Sequence, residues 1–144
     1  MMRLTGLTAA AVLMFWGSVA FGHSPLGDWL TDDRSAIIHV APCGQKLCGT
    51  IQHVLDPKAP AKDVNNPDSA KRARPLVGVS VLSGFTRSGE GWDGGIAYDP
   101  KAGKSYKSRL AMSNPQTLDV TGCILFLCRT RHWTRAEGSE TALR

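Results

Sequence analysis

A series of short strand-like segments, separated by turn residues, constrains the fold of this chain more than any other feature. Between residues 27 and 135, apolar or alternating runs are interrupted by Pro, Gly, Asn and Asp about every eight to twelve residues. No run has the length and period of a long amphipathic helix. The pattern predicts about eight strands, at residues 27–31, 35–41, 48–55, 76–85, 92–99, 104–112, 117–122 and 128–135.

Nearly all the predicted connections are short, so each strand is expected to pair with the next one along the chain. This order predicts an all-β fold, a small eight-stranded antiparallel meander barrel. We favour a barrel over a sandwich because closure removes the exposed edges of a meander. Eight strands leave room for side chains or for one small ligand. The 144 residues predict one domain at residues 23–137 and a frayed polar tail at residues 138–144.

One long polar loop, residues 56–75, interrupts the strands, and the stretch that begins within it at residue 63 continues to residue 78, into the next strand. Asn66 and Pro67 predict the start of a short helix with Asn66 as the N-cap, and Pro75 ends it. Loops of this length are usually functional or disordered, and the cap favours order. Four side chains are candidates to bind an anionic head group, or alternatively to tie the loop to the barrel: Asn65, Asn66, Arg72 and Arg74.

The first residues of the chain resemble an export signal. Residues 1–22 contain Arg3, an apolar run and small residues suited to cleavage. The run is short for a membrane span, which needs roughly 20 apolar residues, although an uncleaved anchor is the alternative. We therefore expect an exported, periplasmic protein that is a monomer.

The cysteines form two pairs with the same spacing, Cys43-x4-Cys48 and Cys123-x4-Cys128. An even number of cysteines in a small exported protein indicates disulfides, here predicted within each pair across a hairpin loop. A single zinc site formed by all four is the alternative. An oxidising compartment favours the disulfides, because zinc requires free thiolates.

Charge and motif content narrow the functional classes. The net charge is +5, but an exported protein meets acidic lipids and polymers rather than nucleic acid. The four histidines lack metal-ligand spacing, so neither a metal nor another cofactor is expected. No nucleophile motif is present, and we do not expect an enzyme. The less favoured enzymatic reading relies on carboxylates for acid–base work: Asp63, Asp68, Asp93 and Asp99.

Two groups of apolar residues are candidates for contact with other molecules. Trp92, Tyr98 and Tyr106 are the aromatic residues that we expect to face the interior, either as core or as the wall of a ligand site. A second group forms four consecutive apolar positions in a predicted tight loop: Ile124, Leu125, Phe126 and Leu127. These four residues could dock on the barrel, on the envelope surface or on a partner.

Several motifs together resemble the DUF2147 family of exported bacterial proteins. They are G-D-W at 27–29, C-G-Q-K-L-C-G at 43–49, D-V-N-N-P-D at 63–68, R-A-R-P-L-V-G at 72–78, G-W-D-G-G at 91–95, Y-D-P-K-A-G-K-S-Y at 98–106 and W-T-R at 133–135. The resemblance implies a lipocalin-like barrel without an established activity. Lipocalins pair a Gly-x-Trp on the first strand with an Arg on the last, which here implies closure through Gly27, Trp29 and Arg135.

The function that we expect from the sequence is periplasmic binding of a small, partly apolar or amphiphilic molecule. The alternative is a structural or interaction module of the envelope whose barrel is filled by side chains. A carboxylate-dependent enzyme acting on an envelope or carbohydrate substrate ranks third. The volume inside the barrel distinguishes the first two hypotheses.

Overall fold

The computed structural model describes residues 23–136 as a closed barrel of eight antiparallel strands. Each strand pairs with the next, and β8 pairs with β1 to close the sheet, which confirms the predicted all-β, meander order. The signal peptide predicted at 1–22 and the tail predicted at 138–144 lie outside the described residues. The strands are β1 (Gly27–Leu30), β2 (Ala36–Cys43), β3 (Lys46–Val54), β4 (Ser80–Ser88), β5 (Gly91–Asp99), β6 (Lys104–Asn114), β7 (Thr117–Ile124) and β8 (Leu127–Arg135).

Alternation along the strands places apolar side chains inside the barrel. On β6, Ser108 and Leu110 are buried and Tyr106 and Met112 are half-buried, as the period-2 pattern predicts. The longest connection, between β3 and β4, contains one 3-10 turn at Ser69–Lys71. Within residues 23–136, no helix has the length and hydropathy that crossing a membrane requires. The largest fully buried apolar side chains are Trp29, Phe85, Leu82, Leu110, Leu118 and Val40.

By alternation, Ile51, His53 and Leu55 are predicted to share one face of β3, and this prediction is wrong after Ile51. Ile51 pairs with Ile38 and His53 pairs with Ile37, so Gln52 is an extra residue in the ladder. The bulge moves Val54, instead of His53 and Leu55, to the side that packs on the core.

By alternation, Trp92, Gly94, Ile96 and Tyr98 are predicted to share one face of β5, and a second bulge makes this prediction wrong. The register shifts between Trp92 and Gly95, and Gly94 has a φ of +72°. Gly95 therefore joins Trp92 on the buried side, while Ile96 is exposed. A Cβ on Gly95 would lie 2.4 Å from the ring of Phe85, so only glycine lets this ring cover the strand.

Trp29 and Arg135 close one end of the barrel, as the resemblance implies. The Trp29 ring is fully buried, and the Arg135 guanidinium carbon lies 4.3 Å from its centroid. Arg135 also donates hydrogen bonds to the carbonyl oxygens of Ser24, Leu26 and Pro115. One side chain thus joins the segment before β1, the β6–β7 turn and β8, which makes the closed end rigid.

Both predicted disulfides are present, Cys43–Cys48 and Cys123–Cys128. Cys123 and Cys128 lie directly opposite each other on β7 and β8. Cys43 instead pairs in register with Lys46, so the first bridge crosses its hairpin diagonally. The strands continue to Cys43 and Lys46, so the loop of that hairpin is shorter than the four residues that separate the two cysteines in the sequence.

Candidate functional site

The end of the barrel opposite Trp29 opens into a cavity. It has a volume of about 870 Å³, which lies within the range of about 300–1,000 Å³ typical of small-molecule sites. Four connections surround the mouth: β1–β2, β3–β4, β5–β6 and β7–β8. The long loop, which is the β3–β4 connection, therefore lies at the open end. Apolar side chains from several strands line the inner part: Ile38, Ile51, Val81, Ala97, Val120 and Trp133.

Two arginines on β8 introduce positive charge into this apolar cavity. Arg129 and Arg131 both line it, and they share a face with the buried Trp133 because all three are two residues apart. Their register partners on β7 are Gly122 and Val120, which line the same cavity. These arginines are not among the site residues predicted from the sequence, although the alternation of Arg129, Arg131 and Trp133 indicates that they share one face.

The two arginines differ in their partners. Arg131 donates a hydrogen bond of 2.9 Å to Asp32, on the β1–β2 connection. Arg129 makes no ion pair with any residue between 23 and 136. Arg129 is therefore the guanidinium most available to an anionic group that enters the cavity.

An ion pair crosses the mouth above this site. Lys101, after β5, donates a hydrogen bond of 2.6 Å to Asp33, after β1, and both residues line the cavity. Although burial opposes ionisation of Asp33, the hydrogen bonds from Lys101 and Ser35 hold the pKa of its carboxyl well below the usual range. The hydrogen bond to Asp33 likewise raises the pKa of Lys101. Both groups therefore stay charged at neutral pH and narrow the entrance.

The three aromatic candidates do not lie together: two of them line the cavity and one does not. Tyr106 lines the cavity, half-buried between its strand neighbours, and Tyr98 lies at the rim. Trp92 belongs to the buried core and does not line the cavity, so of the two roles expected for it the structure supports core and not ligand wall. It lies near the start of β5, at the closed end, and pairs with Leu110. The Arg87 guanidinium carbon lies 4.8 Å from its ring centroid.

A buried carboxylate organises the long loop. Asp63 is 1% exposed and accepts hydrogen bonds from Arg74 (Nε 3.0 Å and the terminal nitrogen 2.8 Å), Asn66 (2.8 Å) and the Tyr98 hydroxyl (2.7 Å). Burial opposes ionisation, but these donors outweigh it and lower the pKa of Asp63. Burial and the bond to Asp63 raise the pKa of Tyr98 to about 12. The cluster fixes the loop to β5.

The helix start predicted at Asn66 is wrong. The 3-10 turn Ser69–Lys71 is capped by Asp68, which accepts a hydrogen bond from the backbone of Ala70. Asn66 instead accepts one from the backbone of Asp68, forming an Asx turn just before the helical turn. Arg72 donates to the Asn66 carbonyl at 2.7 Å. Asn66, Arg72 and Arg74 thus have partners inside the loop, and none of the three lines the main cavity.

Asn65 attaches the same loop to the β5–β6 turn. Its side chain donates to the carbonyl oxygens of Pro100 and Lys101, at 3.4 and 3.1 Å. Gly103, with a φ of +64°, approaches so closely that a Cβ there would lie 1.9 Å from the Asn65 carbonyl oxygen. Asn65 also lines a smaller cavity of about 270 Å³ that adjoins the mouth. The loop is therefore a fixed wall of the entrance.

The β7–β8 turn presents apolar side chains beside the mouth. Leu125 is 89% exposed and Phe126 is 99% exposed, and they lie at the tip. Ile124 and Leu127 also line the cavity. The predicted docking of this loop on the barrel is therefore wrong for its tip, and the other two possibilities remain. Within residues 23–136, no group of three potential metal ligands comes together.

An antiparallel meander barrel, closed at one end by Trp and Arg and open to an apolar cavity at the other, defines a lipocalin-like protein. HP1028 from Helicobacter pylori, described as belonging to the lipocalin family, has the same fold, with a TM-score of 0.73 and 22% sequence identity. The alignment covers 84% of this chain and 88% of HP1028. Residues 27–135 match DUF2147, described as an uncharacterized protein conserved in bacteria, and the chain belongs to that family. No curated protein sequence matches the chain.

Proposed function

We propose that this protein binds one small amphiphile with an anionic group in the barrel, in the periplasm, without converting it chemically. The observation that carries the proposal is the cavity of about 870 Å³, which is apolar inside and has near its mouth the guanidinium of Arg129, outside every ion pair formed within residues 23–136. A barrel filled by side chains, as the structural-module hypothesis requires, would leave no such space. The lipocalin-like fold is consistent with small-ligand binding in general.

The lining specifies the orientation of the ligand. The hydrocarbon part would pack on the floor around Ile38, Val81 and Trp133, where removal of apolar area from water drives binding. The anionic group would lie near Arg129, which has no ion-pair partner among residues 23–136, with Arg131 beside it. Tyr106 adds an aromatic wall. We therefore propose that β8 recognises the head group, in place of the long loop that the sequence suggests.

The periplasmic location rests on two features of the chain. Residues 1–22 have the composition of an export signal, and all four cysteines are paired in disulfides. Disulfides persist in an oxidising compartment such as the periplasm, and they are rare in the reducing cytosol. Fractionation of cells that express the full chain tests the location directly.

A fluorescence titration tests the binding proposal, with Trp133 as the reporter inside the cavity. Decanoate and decanol share one alkyl chain and differ in charge, so decanoate should bind more tightly at neutral pH. Arg129→Gln should weaken decanoate binding about tenfold or more, since hydrogen bonds to charged groups are worth about 1.5–3 kcal/mol, and should leave decanol unchanged. Arg72→Gln, outside the cavity, is the matched control. Equal affinity for both ligands, or binding of neither, contradicts the proposal.

A further inference from the structure

The β7–β8 tip, defined here as Ile124, Leu125, Phe126 and Leu127, exposes more apolar surface than the cavity wall accounts for, because Leu125 and Phe126 do not line the cavity. The four side chains are between 58% and 99% exposed. The Cys123–Cys128 disulfide bridges the hairpin immediately behind them. The tip is therefore a braced projection whose apolar surface faces outward.

The backbone of the tip adds a second unfavourable feature. Leu125 has a φ of +52°, in the left-handed region, where a leucine side chain is disfavoured and Gly or Asn is common. Gly at this position would relieve the strain and expose less apolar surface. Leu125 therefore lowers both the stability and the solubility of the chain. A residue with these two costs indicates that the position serves a contact outside the chain.

The charges around the tip indicate what it contacts. Lys107 on β6 pairs in register with Cys123, and Arg129 follows Cys128 on β8. Neither forms an ion pair with another residue in the described part of the chain. Of the three acidic residues that line the cavity, Asp32 and Asp33 are paired with Arg131 and Lys101, and Asp99 lies at the end of β5, on the β5–β6 connection and not beside the β7–β8 turn.

We propose that the β7–β8 tip inserts into the interface of an anionic lipid bilayer. Apolar side chains beside cations are the combination that enters the head-group region of acidic membranes. A protein partner or a second copy is less suitable, because a stable interface buries about 800 Å² per partner, far more than one two-residue turn and its flanks supply. Insertion would bring the cavity mouth against the lipid, and this consequence alone rests on the proposed function.

Sedimentation with vesicles tests the proposal in the full chain. Phosphatidylcholine vesicles with and without phosphatidylglycerol are compared, and binding should require phosphatidylglycerol and weaken with added salt. Phe126→Ser should reduce partitioning about tenfold or more, because it removes a large apolar side chain. Val77→Ser, which changes an apolar residue that is 56% exposed in the long loop, is the matched control and should bind like the parent.

Leu125→Gly separates membrane insertion from a structural role. It should raise the midpoint of urea unfolding, because the left-handed backbone suits glycine, and yet weaken vesicle binding.

Binding that is equal with and without phosphatidylglycerol overturns the choice of an anionic surface. Vesicle binding that Phe126→Ser and Val77→Ser leave equally strong overturns the tip as its site. Dimerisation of the parent that Phe126→Ser abolishes assigns the tip to self-association and also overturns the proposal. Phe126 does not line the cavity, so Phe126→Ser should bind decanoate like the parent, and this comparison distinguishes a failure of the tip from a failure of the cavity.

Discussion

Replacing Asp63 with Ala should destabilise the barrel strongly, although Asp63 lies in a loop. The carboxylate is buried and accepts hydrogen bonds from Arg74, Asn66 and Tyr98. Arg74 is 37% exposed and can regain water, so the cost comes mainly from Asn66 and Tyr98, whose donors would lose their charged partner. Breaking a buried charged network costs about 3–5 kcal/mol, a large share of the roughly 5–15 kcal/mol that stabilises a domain.

Urea unfolding followed by fluorescence measures this effect, with Asp68→Ala as the matched control. Asp68 lies in the same loop but caps an exposed turn, so its removal should cost only about 1 kcal/mol. The pH dependence gives a second test. Because the folded-state pKa of Asp63 is lowered, its stabilisation is present above the unfolded-state pKa of about 3.9 and is lost as the pH falls through the folded-state value. A loss below about 1 kcal/mol, or a difference from the parent that persists at low pH, would refute the network.

The remaining predictions concern the closed end, the loop and the mouth. Arg135→Ala should reduce the free energy of unfolding by about 1–2 kcal/mol through loss of contact with Trp29, and urea unfolding should show a lower midpoint with an unchanged slope. An unchanged midpoint would make Arg135 an ordinary surface residue. Gly103→Ala should destabilise the chain more than Gly44→Ala and speed proteolysis within residues 56–78. Both glycines have a φ near +60°, but only Gly103 meets Asn65, so equal losses would contradict the close approach. Lys101→Ala should accelerate decanoate entry in stopped-flow fluorescence while changing stability by less than about 1 kcal/mol, and unchanged rates would show that the ion pair with Asp33 does not narrow the mouth.

The order of the strands could be predicted because turn residues mark each connection locally. The contact of Trp29, on the first strand, with Arg135, on the last strand, could be predicted from the family resemblance. The two bulges could not be predicted, because the extra residue in β3 at Gln52 and the left-handed Gly94 depend on registers with neighbouring strands. Strand faces after a bulge reverse, and this reversal explains the error at His53 and at Ile96.

The candidate site was predicted only in part, for similar reasons. Alternation indicates which face a residue occupies but not how far along the barrel it lies, so it cannot decide whether Trp92, which lies near the closed end, is core or cavity wall. The pairing of Arg74 with Asp63 depends on how an irregular loop folds back over eleven residues, which no local pattern records. Arg129 and Arg131, in contrast, were predictable from their spacing to Trp133.

Native mass spectrometry of the protein purified from its own cells tests the central claim, that the barrel holds a small anionic amphiphile. The parent should carry a small-molecule adduct that organic extraction removes and that is identified as an acidic amphiphile. Ala97→Phe, which fills the cavity from β5, should remain folded by circular dichroism and carry no adduct. A parent without any adduct that also fails to take up decanoate, or the same adduct on folded Ala97→Phe, would contradict the account.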